Sequence, residues 1–127
     1  MALVRAVPLS NALASALSTT AVSTGYNVGA AIAGQKVYAA LHVMPTAGSG
    51  ATSTARVLSM VVQSASSSGF GGATARITFT LSTAQGAQWG TPVAPSTDHP
   101  WWRTSWTMST VASTGGSWKW LVHMGLK

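Results

Sequence analysis

Apolar and polar residues alternate along much of this chain, and the alternation is cleanest over Thr74–Leu81. There Ala75, Ile77, Phe79 and Leu81 fall on one side, and Arg76, Thr78 and Thr80 on the other. Successive side chains of a strand point to opposite faces. The segment therefore predicts a half-buried antiparallel strand. Lys36–Val43 repeats the pattern, with Val37, Ala39, Leu41 and Val43 on one face and Lys36, Tyr38, Ala40 and His42 on the other. Pro45 is expected to end it. Thr54–Gln63 is apolar on both faces over much of its length, which predicts a strand at the centre of a sheet. Shorter strands are expected at Tyr26–Val28, between Gly25 and Gly29, and at Ala87–Gly90, ended by Pro92 and Pro95.

Two further strands carry five of the six tryptophans. In Pro100–Met108 one face holds Trp102, Thr104, Trp106 and Met108, and the other Trp101, Arg103, Ser105 and Thr107. In Ser117–Met124 one face holds Trp118, Trp120, Val122 and Met124, and the other Lys119, Leu121 and His123. Each indole buries ~150–250 Å², so much of the core is expected here. Joined through Gly115-Gly116 as a hairpin, the two strands would set Trp106 beside Trp118 or Trp120.

The N-terminal region is simpler. Leu3–Leu9 reads as a short strand with Pro8 at its edge or end, and Ala-rich Asn11–Leu17 as a turn of helix. Residues 1–24 are expected to form an edge segment, or an extended arm that packs on a neighbouring subunit through Leu3, Val4 and Arg5. Residues 25–127 are expected to form one domain. Several short strands separated by Ser, Gly and Pro turns predict an all-β fold, an antiparallel β-sandwich of jelly-roll-like form.

Composition narrows the function. The 127 residues include seven basic residues and one acid, Asp98, for a net charge of +6. The cations are scattered singly, whereas nucleic-acid binders cluster them. Nucleic-acid binding is therefore not expected, and the charge instead favours steering toward an acidic partner. Cysteine is absent, so no disulfide or thiolate site exists. No stretch reaches the ~18 apolar residues of a membrane span, and no membrane partner is expected.

Catalytic constellations are missing from the sequence. Carboxylate acid–base chemistry needs two acids. Asp98 and His99 are adjacent and point apart on an extended chain, so Asp98 is expected to accept backbone N–H groups in a turn. His42, His99 and His123 lie on separate elements without the close spacing of zinc ligands. No Gly-x-Ser-x-Gly elbow or phosphate-binding glycine motif occurs. Neither enzyme activity nor a metal or cofactor is expected.

Contact is the remaining mode of action. Trp89, Trp101 and Arg103 are candidate interface anchors, and Phe70 either folds onto the core, the favoured reading, or offers a contact outward. Were Trp89, Trp101 and Arg103 to line one face, a carbohydrate-binding module would be the alternative.

The segments Tyr38–Val43, Arg76–Thr80, Gly86–Trp89, Trp102–Thr107 and Val122–Lys127 resemble a family of small virion proteins of tailed bacteriophages. The resemblance covers about residues 36–127. It implies a β-sandwich decoration (cement) protein on the outer capsid surface, with the major capsid protein as partner. It further implies a homo-oligomer, a trimer before a dimer. Other virion components, in the tail, the head–tail joint or the fibre base, are the alternative within the same class.

Overall fold

The strands pair as one nested hairpin. The computed structural model describes residues 5–11, 21–29, 34–46, 58–80, 86–94, 98–108 and 117–127. Within them run β1 (Arg5–Asn11), β2 (Ala21–Val22), β3 (Tyr26–Asn27), β4 (Val37–Thr46) and β5 (Leu58–Ala65). These are followed by β6 (Thr74–Thr80), β7 (Gly86–Trp89), β8 (Trp101–Met108) and β9 (Ser117–Leu126). The first strand pairs with the last, β2 and β3 with β8, β4 with β7, and β5 with β6, all antiparallel. Rolled up, this hairpin also sets β9 against β4 and β8 against β5. Two sheets result, in the orders β1-β9-β4-β7 and β2-β8-β5-β6, with β3 also on β8. That winding is the jelly roll, a two-sheet β-sandwich.

The alternation seen in the sequence becomes the core. Val37, Ala39, Leu41 and Val43 of β4 are buried, facing Met60, Val62, Ile77 and Phe79 of the second sheet. As expected, β5 is central, between β8 and β6; Thr54–Val57, Leu81 and the turn at Ala47–Gly50 lie outside the described residues.

The tryptophans do not form a hairpin. β9 sits between β1 and β4 while β8 sits between β2 and β5, so the two strands belong to opposite sheets. Trp106 and Trp120 meet across the sandwich instead, edge to face, with ring centroids 5.0 Å apart at 63°. The Gly115-Gly116 turn and the side chain of Trp118 lie outside the described residues.

Two local expectations change for physical reasons. β4 runs through Pro45 to Thr46. β7 pairs with β4 only from Ala40 to Val43, so beyond Val43 one side of β4 is an edge among the described residues, where a proline costs no ladder bond. In β6 the register slips: Val62 pairs with Ile77 but Gln63 with Ala75. The extra residue is Arg76, and this bulge turns Ala75 out to solvent. At the N-terminus, Arg5–Asn11 is an edge strand of the first sheet, with Pro8 exposed and Leu9 buried. The expected helical turn over residues 12–17 lies outside the described residues.

Thr104 is fully buried between Trp102 and Trp106 on the inner face of β8, and its Oγ1 has no hydrogen-bond partner. Its backbone N–H is satisfied, donating to Ser23 Oγ at 2.9 Å. Replacing an unsatisfied hydroxyl by a methyl removes a desolvation cost. Thr104→Val should hold or raise stability by about 1 kcal/mol in urea unfolding; a clear loss would mean the hydroxyl has a partner.

Candidate functional site

The two outer faces of the sandwich differ in chemistry. Outside β5, β6 and β8 lie exposed hydroxyls such as Ser59, Thr78 and Thr107. The outer face of β1-β9-β4-β7 carries Trp89 at 79% and Met44 at 43%, while β2 and β3 at the edge of the second sheet expose Val22 at 47% and Tyr26 at 42%.

Register assembles this face. Along β4 and β9 the outward pairs are Tyr38 with Gly125, Ala40 with His123, His42 with Leu121, and Met44 with Lys119. On the far side of β4, Trp89 of β7 stands opposite Ala40, and Ala87 opposite His42. Pro8 of β1 pairs with His123. Small residues between large ones leave a hollow of about 380 Å³, lined by Tyr38, Ala40, His42, Trp89, Leu121 and His123. That volume falls in the range of ligand and side-chain pockets.

Gly90 fixes where Trp89 stands. Its N–H donates to the carbonyl of Ala39 at 2.9 Å, and a Cβ there would run into the Ile77 Cγ2 methyl. Only glycine lets the chain pass this close to the core directly after Trp89. Val93 then rejoins β4 at Val37, with reciprocal bonds of 2.8 and 3.0 Å.

A polar cluster occupies the second sheet. Arg76 Nε donates to Ser64 Oγ at 2.8 Å, Ser64 Oγ lies 3.1 Å from His99 Nδ1, and Arg76 Nη2 lies 3.3 Å from the same nitrogen. Arginine only donates, so Ser64 Oγ accepts from Arg76 Nε; in the tautomer with Nδ1 bare, His99 accepts from Arg76 Nη2 and from the Ser64 O–H. The bulge at Arg76 is what aims the guanidinium here. Ser64 is fully buried, and the three groups satisfy one another. The cluster ties the 98–100 segment to β5 and β6.

The sequence candidates separate. Trp89 lies on the first sheet, whereas Trp101 and Arg103 lie on the outer face of the second. The single aromatic face these three would have shared does not exist, because β7 and β8 enter opposite sheets. Arg103 is engaged within the chain: Nε donates to Gln63 Oε1 at 3.0 Å, and its guanidinium carbon stands 4.3 Å over the Phe70 ring. Phe70 is buried, 7% exposed. Trp101 is half-buried, paired with Ala65 and Asn27. Arg5 takes part in β1 through its backbone, while Leu3 and Val4 lie outside the described residues. His42 and His123 share the hollow, and His99 belongs to the polar cluster on the other sheet.

Tyr38 and Leu121 were not singled out as binding residues by the sequence, and His42 and His123 were weighed there only as zinc ligands and set aside. Their faces were readable from alternation, but the pairing of β4 with β9, some eighty positions apart in the chain, leaves no local signal.

No family model matches the chain, and no curated protein or solved structure matches it.

Proposed function

We propose that this protein is a capsid decoration protein of a tailed bacteriophage, which binds the outer surface of the major capsid shell and stabilises it by contact. The observation that carries this reading is the open apolar face around Trp89, the most exposed large apolar side chain among the described residues. Exposed aromatic patches of this kind mark sites of association. The jelly-roll winding, an architecture of viral shell proteins, and the resemblance over about residues 36–127 point the same way. The protein acts on the virion exterior as a homo-oligomer, a trimer suited to local three-fold axes or else a dimer. Linking copies lets modest contacts add through multivalency.

Quantitative gel or mass-spectrometric analysis of purified virions tests the proposal. A decoration protein is present in numbers comparable to the major capsid protein. A handful of copies per particle would assign it instead to the tail, the head–tail joint or the fibre base.

A carbohydrate-binding module is the second reading, favoured by the ligand-sized hollow beside Trp89 and by the use of jelly rolls in lectins. The lining is overwhelmingly apolar, which suits a protein partner better than a hydroxyl-rich sugar. Glycan-array binding lost on Trp89→Ala would favour this second reading.

A further inference from the structure

Among the described residues, charge on the open face is confined to its ends. Lys36 and Lys127 are neighbours at one end, joined by reciprocal backbone bonds of 2.8 and 3.0 Å. Lys119 stands beside Met44 at the other. Between them lie Tyr38, Ala40, Leu121 and Trp89, with the imidazoles of His42 and His123. No Asp or Glu side chain joins them, since the one acid, Asp98, belongs to the segment before β8.

This pattern has a definite complement: an apolar side chain that projects, flanked on both sides by carboxylates. Apolar anchors in pockets carry binding energy, and flanking opposite charges set register and speed encounter. We infer that this face docks on an acidic protein surface of the capsid shell, with a projecting apolar side chain of the shell seated in the hollow against Trp89. The inference rests on the decoration reading and adds which face binds and what it binds.

Other occupants fit the face less well. A second copy would bring Lys36, Lys119 and Lys127 against their like with no carboxylate side chain to meet them. Single-stranded nucleic acid binds along a cationic track with rings spaced for successive bases. Here the lysines stand at the ends, and Tyr38 is half-buried beside Trp89, the one strongly exposed indole among the described residues. The patch is also small. Four strands at ~4.8 Å and seven residues at ~3.3 Å span roughly 400 Å², about half of a standard interface side of ~800 Å². Single-site affinity should therefore be modest and sensitive to salt.

The test is co-sedimentation of the full chain with shells of the encoding phage assembled without this protein, over a range of salt. Wild-type binding should weaken as salt rises. Lys36→Glu and Lys119→Glu should each lower affinity by about tenfold, and Trp89→Ala by about thirtyfold, the loss typical of an interface anchor. Melting temperatures should stay within a degree or two of wild type, because these side chains are exposed or at the rim. Salt-independent binding that ignores both charge reversals overturns the inference and leaves the decoration reading standing. No wild-type binding to shells removes both. A wild-type dimer that Trp89→Ala dissociates in sedimentation equilibrium makes the face a self-contact. Competition by an oligothymidylate makes it a nucleic-acid surface. Either of these results overturns the proposal.

Discussion

Trp120→Ala is expected to lower the unfolding free energy by about 3–5 kcal/mol, a large share of the ~5–15 kcal/mol that holds a typical domain together. Trp120 is completely buried on the inner face of β9, and Trp106 meets it from the opposite sheet. Removing the indole leaves a cavity at the seam, and the two sheets cannot close over it without moving strands hydrogen-bonded on both sides. Urea unfolding measures the loss. A double-mutant cycle with Trp106→Ala should give a coupling of about 0.5–1.5 kcal/mol, the value of an aromatic pair beyond its burial. A single-mutant loss below about 1 kcal/mol would show that the seam is held elsewhere.

Phe70 carries the second large effect. It lies in the β5–β6 turn, where its N–H donates to Ser67 O at 3.1 Å and its carbonyl accepts from Ala73 at 3.2 Å. Its backbone is left-handed, with φ at 53°. That conformation costs a residue with a Cβ ~1–2 kcal/mol. Burial compensates: Arg103 caps the ring, and the Gly25 backbone packs so close that a Cβ there would collide with it. Phe70→Ala should cost about 3 kcal/mol, because it removes the ring and keeps the strain. Phe70→Gly removes the ring and relieves the strain, so it should be less damaging than alanine by about 1 kcal/mol. This reverses the usual order of the two residues, and thermal unfolding of both variants checks it. Glycine proving worse than alanine would mean the left-handed turn is not what Phe70 sustains.

Sequence patterning and tertiary structure part company at identifiable residues. Val37, Ala39, Leu41 and Val43 were legible as one buried face because alternation depends only on the strand they share. Trp102, Thr104 and Trp106 were assigned correctly on the same basis. The partner of each strand was not legible. Adjacent Trp-rich segments suggest a hairpin, yet rolling the chain sends β8 and β9 into different sheets, and the indoles meet through the core. Arg76 misled the pattern because a bulge adds one residue and inverts what precedes it.

The site shows the same division. Trp89 was marked from the sequence as an interface anchor and stands 79% exposed. Trp101 and Arg103 were grouped with it on residue type alone, and lie on the opposite sheet. Tyr38 and His42 were placed correctly on the face of β4 away from Leu41, as His123 was on the corresponding face of β9. What joins them to Trp89 is the contact of β4 with both β9 and β7, a long-range pairing that no window of sequence contains.

Electron cryomicroscopy of intact particles tests the central claim most directly. The account predicts a jelly roll seated on the outside of the shell at every equivalent position, with the β1-β9-β4-β7 face turned inward and the Trp89 hollow filled by a shell side chain. Density for the chain at the tail alone, or on the shell with that face turned to solvent, would contradict it.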